Sequence, residues 1–229
     1  MALLTFRSLA GLPDLAHGIS HRGVPRDAIP EALELDRPLL TPTQVHGSSI
    51  RAADGEEPPP SGRFDGWSTN RAGGPIFGVL GADCPGVLLV APEVRAFALL
   101  HAGWRGIVSG IVPAGLLLLG ARYGASVGGI HVGIGPGISG PNYEVSDEVA
   151  DALASSVGPA DRDAVLTAGR PGHAYADLRA AIRCQLRQRG VPDEHIETHP
   201  ACTRDDERFY SYRGDGPDTG RHLLVAAWR

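Results

Sequence analysis

The chain contains no lysine: all 21 of its cationic side chains are arginine, set against 26 acidic ones for a formal charge of −5. With no run of arginines either, it lacks the clustered cations that nucleic-acid phosphates require. Cysteine is scarce as well. Three residues without a repeated spacing build no disulfide framework and point to a reducing, cytoplasmic compartment. Long hydrophobic runs are missing too. Leu116 to Leu119 is the longest leucine run, far short of a membrane span, and Met1 to Gly18 offers neither the basic segment nor the apolar stretch of a secretory leader. The expectation is a soluble cytoplasmic protein with no membrane or nucleic-acid partner, as monomer or homodimer.

What is present is a chain of 229 residues, long enough to bury a substantial core as one domain spanning 1–229. Apolar runs rich in Val, Ile, Leu and Phe recur between glycine and proline at Pro75 to Leu80, Gly86 to Ala91 and Arg95 to His101, with two more at Ile130 to Ile134 and His222 to Trp228. These read as strands, and their near-continuous apolarity implies burial on both faces. Helical segments lie between them. Ser146 supplies an N-cap ahead of Val149 to Ser156, and Asp177 caps Leu178 to Arg189, which Gly190 ends. In that second helix Leu178, Ile182 and Leu186 form a packing stripe while Arg179, Arg183, Arg187 and Arg189 lean to solvent. A further helix from Trp104 toward Tyr123 holds Pro113 in its middle, which predicts a kink or two short helices. Asp54 to Gly62, with three prolines and three acids, reads as an exposed loop. The fold class expected is mixed α/β, a single domain with mixed β-sheets flanked by helices.

Three strings each place one metal-binding side chain among small or turn-forming residues: Gln44-Val45-His46-Gly47, Ala82-Asp83-Cys84, and His101-Ala102-Gly103-Trp104-Arg105-Gly106. Two histidines and a cysteine would leave the fourth position of a tetrahedral zinc open, as catalytic sites do. The spacing alone does not carry this, since 38 residues separate His46 from Cys84 and 17 separate Cys84 from His101. Taken singly, a buried cysteine is ordinarily packing and a lone histidine more often bonds a carbonyl. Cys84 and His101 follow apolar strands, so both could converge at one sheet edge, with His46 swinging in from a loop. Cys184 and Cys202 read as buried packing residues, and His195 and His199 lie in an extended segment without metal spacing.

The three strings, in this order, resemble the laccase-domain family (YfiH-type, once called multicopper polyphenol oxidases). The likeness extends through Gly18-Ile19-Ser20-His21-Arg22-Gly23, Asp65-Gly66-Trp67-Ser68-Thr69, Gly133 to Ile138, Tyr143-Glu144-Val145, Asp177-Leu178, Cys202-Thr203 and Phe209-Tyr210-Ser211-Tyr212-Arg213. One departure stands out: where many relatives carry cysteines before the Tyr-Glu-Val string, this chain has Gly137, Pro141 and Asn142. The resemblance implies a YfiH-like fold with zinc held by His46, Cys84 and His101. It also implies phosphorolysis of adenosine, inosine or methylthioadenosine, together with deamination of adenosine. Purine nucleosides and phosphate are then the expected small-molecule partners.

Asp83 either orients a ligand histidine or accepts a proton. Phosphate could be held by Arg22, Arg105 or Arg213 through paired donors, or by backbone amides of the Gly133 to Gly140 loop. Tyr143 and Trp104 could stack on a purine or serve as packing, and His21 could approach the pocket or stay at the surface. Two other readings exist. A copper-dependent polyphenol oxidase needs several copper sites, yet the nine histidines include no His-x-His pair, so copper is the less favoured metal. A cysteine hydrolase, such as an amidase acting on a cell-wall precursor, would use Cys84 as nucleophile and His101 as base.

Overall fold

The computed structural model describes residues 2–55 and 62–229. Among these residues the strands run Leu15–Ile19 (β1), Leu39–Leu40 (β2), Ile50–Ala52 (β3), Gly66–Thr69 (β4), Ile76–Gly81 (β5), Gly86–Ala91 (β6), Ala96–His101 (β7), His131–Ile134 (β8), Glu144–Ser146 (β9), Leu166–Ala168 (β10), His173–Ala176 (β11), Ile196–Thr198 (β12) and His222–Trp228 (β13). They form a mixed six-stranded sheet in the order β12-β8-β6-β7-β4-β3, a mixed four-stranded sheet β1-β13-β5-β2, and an antiparallel three-stranded sheet β10-β11-β9. The expected mixed α/β architecture is thus the one observed.

Period-two alternation explains how the sheets stack. On β6 and β7 one set of side chains, Val87, Leu89, Ala91, Ala96, Ala98 and Leu100, faces the helices. The alternate set, Leu88, Val90, Phe97 and Leu99, faces Phe77, Val79, Leu224 and Ala226 of the four-stranded sheet. Every one of these side chains is buried. That is why the runs are apolar without interruption, and why β6 and β7 are the most rigid place from which to hang a site. The four-stranded sheet repeats the device, sending Leu223, Val225 and Ala227 of β13 into a third cluster with Ile29 and Leu33.

The helix Leu178–Gln188 opens as expected, with the Asp177 carboxylate accepting the amides of Arg179 and Ala180, and Gly190 follows it at φ +92°. Its arginine face is less solvated than the pattern suggests. Arg179 donates to the carbonyls of His199 and Ala201, and Arg183 pairs with Asp193. The helix after His101 does divide, into Trp104–Val108 and Ile111–Tyr123. The break falls at Gly110, which sits at φ +82°. Pro113 occupies the first turn of the second helix, where its missing amide proton costs little. Ser146 precedes the helix Asp147–Val157 but makes no side-chain cap. The exposed loop expected over Asp54 to Gly62 lies mostly outside the described residues. Among the described residues no helix is long and apolar enough to cross a membrane.

Candidate active site

His101 is the last residue of β7 and pairs in register with Gly86, the first residue of β6; the amide of Ala102 donates to the carbonyl of Pro85 at 2.9 Å. Cys84 precedes this pairing by two residues, so the antiparallel neighbours place cysteine and histidine at the same end of the sheet. That end belongs to two central strands, not to the sheet edge the sequence suggests. His46 arrives from the connection between β2 and β3. Gln44 pins this connection to β5 by donating to the carbonyl of Leu80 and accepting its amide. The ligand atoms of His46, Cys84 and His101 lie within 4.8 Å of one another, with His46 exposed, Cys84 half-buried and His101 buried. The three expected ligands therefore do converge.

Asp65, wholly inaccessible, organises two of the three. Its carboxylate accepts the amides of His46 and Gly47 at 2.8 Å each and of Val45 at 3.2 Å. It also meets His101 Nδ1 at 2.9 Å. An ionised carboxylate can only accept, so Nδ1 carries a proton and Nε2 is the nitrogen left for a ligand role. The same amides allow His46 to occupy a left-handed conformation at φ +60°, a strain that needs such support. Burial alone would raise the Asp65 carboxyl; its bonds to His101 and the amides outweigh that and hold it below the ordinary value. Asp65 therefore takes the orienting role, one of the two that the sequence leaves open for Asp83. The Asp65-Gly66-Trp67-Ser68-Thr69 string contained it, but nothing local links an aspartate to a histidine 36 positions away.

Burial pushes the Cys84 thiol up, yet its bonds with His101 and His46 bring it down to about 7. Burial disfavours the His101 cation, and Asp65 and Cys84 together raise it to about 9. Gly103 suits this crowding: a Cβ there would press on Cys84 Sγ at 3.0 Å and His46 Cδ2 at 3.1 Å.

A second group lies beside the first. The Tyr143 phenol is lifted to about 12, mainly by burial, and it feels Cys84, Arg213, Asp83 and Arg105 at once. The Arg213 guanidinium stands 5.1 Å from the Tyr143 ring centre and donates to the carbonyl of Glu144 at 3.0 Å. Arg105 is exposed and covers Trp104 at 4.4 Å, and Trp104 itself packs against the helix-side core. Arg22 is committed elsewhere: it donates to the carbonyl of Phe209, pairs with Asp215 and covers Tyr210. It borders a separate cleft of about 370 Å³ with Thr203, Arg204 and Phe209. The His21 ring meets the carbonyl of Arg22.

In the Gly133 to Gly140 loop several amides are already spent, those of Gly135 on Gly86, Ile138 on Asp83 and Ser139 on Cys202, which weakens the loop as a phosphate cradle. Cys184 is buried as expected, whereas Cys202 is half-buried, with its sulfur accepting from Ser139 and Asn142.

The chain has relatives among known proteins. A family model described as multi-copper polyphenol oxidoreductase laccase matches residues 24–229. The purine nucleoside phosphorylase YlmD of Geobacillus stearothermophilus is 35% identical over 197 residues, covering 81% of this chain and 70% of that protein. The adenosine deaminase RL5, from an unknown prokaryotic organism, is 34% identical over 191 residues, covering 80% and 72%. In three dimensions the crystal structure of YlmD superposes with a TM-score of 0.88 at 27% identity, covering 95% of this chain and 93% of that one. The chain belongs to the laccase-like family of multi-copper polyphenol oxidoreductases to which YlmD-type proteins are assigned.

Proposed function

We propose that this chain, as one domain over residues 1–229, is a zinc-dependent purine nucleoside enzyme. It cleaves adenosine, inosine or methylthioadenosine with phosphate to the free base and (methylthio)ribose 1-phosphate, and it deaminates adenosine. The carrying observation is the convergence of His46, Cys84 and His101 to within 4.8 Å, next to a tyrosine flanked by two arginines. The names of the relatives YlmD and RL5 support the two reactions.

The donor set fits the metal. Two imidazoles and a thiolate with one position left over make the ligand shell of a catalytic zinc, and the proton on His101 Nδ1 already points its other nitrogen inward. Zinc bound there would supply Lewis acidity and make water a competent nucleophile near neutral pH. The protein's own side chains do the rest. Asp65 fixes the tautomer of His101. Arg213 and Arg105 offer paired donors to a phosphate whose oxygen bonds the sugar C1′ as the bond to the purine nitrogen breaks and its electron pair leaves with the base. Tyr143, its phenol held protonated, lies near enough to Cys84, Arg213 and Arg105 to feel their charges. Copper oxidase chemistry has less support: among the described residues this is the one cluster of three donors able to hold a metal, and a multicopper site needs several.

Metal analysis of protein purified without added metal, combined with product detection from adenosine plus phosphate, tests the reading. Adenine with ribose 1-phosphate is expected from phosphorolysis and inosine from deamination, both abolished by chelation and restored by zinc. Turnover that survives complete metal removal would favour the cysteine hydrolase. The absence of either product from zinc-replete protein would refute the proposal.

A further inference from the structure

Asp83 stands next to Cys84, only 8% exposed, at φ +96°, a conformation that non-glycine residues avoid. Its main-chain carbonyl accepts the amide of Ile138 at 3.0 Å. Its carboxylate faces the C-terminal segment, and all three partners come from there. Oδ1 accepts the hydroxyls of Thr203 and Ser211 at 2.7 Å each, and Oδ2 accepts the backbone amide of Arg213 at 2.7 Å. Both hydroxyl residues are 2% exposed. Ser211 Oγ in turn accepts the amide of Gly214, closing the single helical turn Tyr212–Asp215. Three of the four lone-pair directions of the carboxylate are thus occupied by short bonds, an arrangement suited to holding and not to shuttling a proton.

The segment so held has little regular structure, and its other anchors, the buried Phe209 ring and the bonds of Arg22 to Phe209 and Asp215, lie away from Arg213. Between Cys202 and Arg221 its regular structure is that one turn, and the side chain it delivers, Arg213, lies over Tyr143 beside the metal ligands. We propose that Asp83 is the positioning residue of the anion side of this site: by gathering Thr203, Ser211 and the Arg213 amide it sets the Arg213 guanidinium where an oxyanion co-substrate meets the metal ligands. This rests on the phosphorolysis reading for its chemistry, although the clamp itself does not.

The discriminating variants are Asp83→Asn, Ser211→Ala and Ser211→Thr. In Asp83→Asn the amide oxygen still serves the two hydroxyls, but its NH2 then faces the Arg213 N–H, donor against donor. Zinc stoichiometry is expected to stay at the wild-type value in all three. For Asp83→Asn and Ser211→Ala, the KM for phosphate should rise about tenfold or more, on the scale of a charge-assisted bond. Adenosine deamination should change much less. Ser211→Thr, which keeps the hydroxyl, should restore the phosphate KM. In an Arg213→Ala background, Ser211→Ala should add nothing further, because the clamp acts through that guanidinium.

Amide hydrogen exchange supplies a readout independent of the reaction: the Arg213 and Gly214 amides should exchange faster in Asp83→Asn and Ser211→Ala while strand amides of β6 and β7 stay protected. Faster exchange in a protein that shows no phosphorolysis even as wild type would sink the proposed function and leave the clamp standing. Unchanged exchange, an unchanged phosphate KM, or equal losses in both reactions would overturn the positioning role.

Discussion

The two sides of the site are built by opposite means. The proposed metal side hangs on the ends of β6 and β7, whose side chains are buried on both faces, and it is completed by one fully buried carboxylate, Asp65. The proposed anion side is carried by a nearly irregular segment from Cys202 to Arg221, anchored by the Phe209 ring in the core and by polar bonds to Asp83 near Arg213. Strand packing frames the first; in the second, hydrogen bonds to Asp83 place Arg213 on a segment that the core holds mainly through Phe209. Atoms that must hold a coordination geometry to a few tenths of an ångström gain from a rigid frame. A group that admits and releases an anion gains from one that can yield.

The strongest way to break the metal side is through its thiolate. Cys84→Ser replaces the sulfur donor with a hydroxyl that does not ionise near neutral pH, so the bound zinc and both activities should vanish together. The fold should survive, because Cys84 is half-buried in a connection and not packed in the core. Stoichiometric zinc in that variant by elemental analysis would remove Cys84 from the ligand set.

Asp65→Asn comes next. The amide cannot accept on both of its atoms, so it must turn an NH2 toward either the His101 Nδ1–H or the backbone amides near His46. A loss of about ten- to a hundredfold in zinc affinity is expected, together with roughly 2–3 kcal/mol of stability from the buried group left unpaired. Competition against a metallochromic chelator and urea denaturation measure the two. Wild-type affinity would mean that Asp65 supports the fold alone.

The anion side should fail more selectively. Arg213→Ala should cut phosphorolysis by about ten- to a hundredfold and leave deamination much less affected, since a water nucleophile needs no guanidinium. Lysine should restore only part, lacking the paired donors. Steady-state assays of both reactions on one preparation decide it: equal losses would assign Arg213 to structure or nucleoside binding.

The same contrast governs what the sequence could say. Strands buried on both faces leave an unmistakable apolar run, so β5, β6, β7 and β13 are legible to within a residue or two. The helix at Leu178 is equally plain from Asp177, its leucine stripe and Gly190. The short sheet of β9, β10 and β11 leaves no such trace: its strands are three or four residues long and largely solvated on one side. The candidate ligands His46, Cys84 and His101, which the structure brings together, were legible through their strings. Their supports were not, because Asp65 meets His101 across 36 positions and Asp83 meets Thr203, Ser211 and Arg213 across 120 to 130. A carboxylate's partners are set by which strands become neighbours, and pairing of that range has no local signature. The break at Gly110 in place of Pro113 has a similar origin, since a proline in the first turn of a helix looks, in sequence, like a proline in the middle of one.

The smallest expected effect lies where the two sides meet. His222 opens β13 opposite Gly81, and its ring packs edge-on to Phe209 of the irregular segment at 5.3 Å. It is buried, with Nδ1 making no hydrogen bond within the described residues. Burial first, and then the nearby charges of Arg221, His199 and Arg22, depress its imidazole to about 3 from an ordinary 6.5. The folded protein thus binds this proton more weakly than the unfolded chain does. The stability contributed by the neutral ring is fully present above pH 6.5 and is lost as pH falls toward 3. By pH 5 the loss from this one group should be about 2 kcal/mol relative to neutral pH. His17, His131 and His199 are also lowered, chiefly by burial, and act in the same direction, so the whole acid limb does not belong to His222. Its share is isolated by His222→Leu, which cannot titrate. Urea unfolding at pH 7 and at pH 5 should show a smaller drop for the variant than for the wild type, whatever the substitution does to absolute stability. Equal drops would place the acid sensitivity in the other histidines and leave the joint between sheet and segment indifferent to pH.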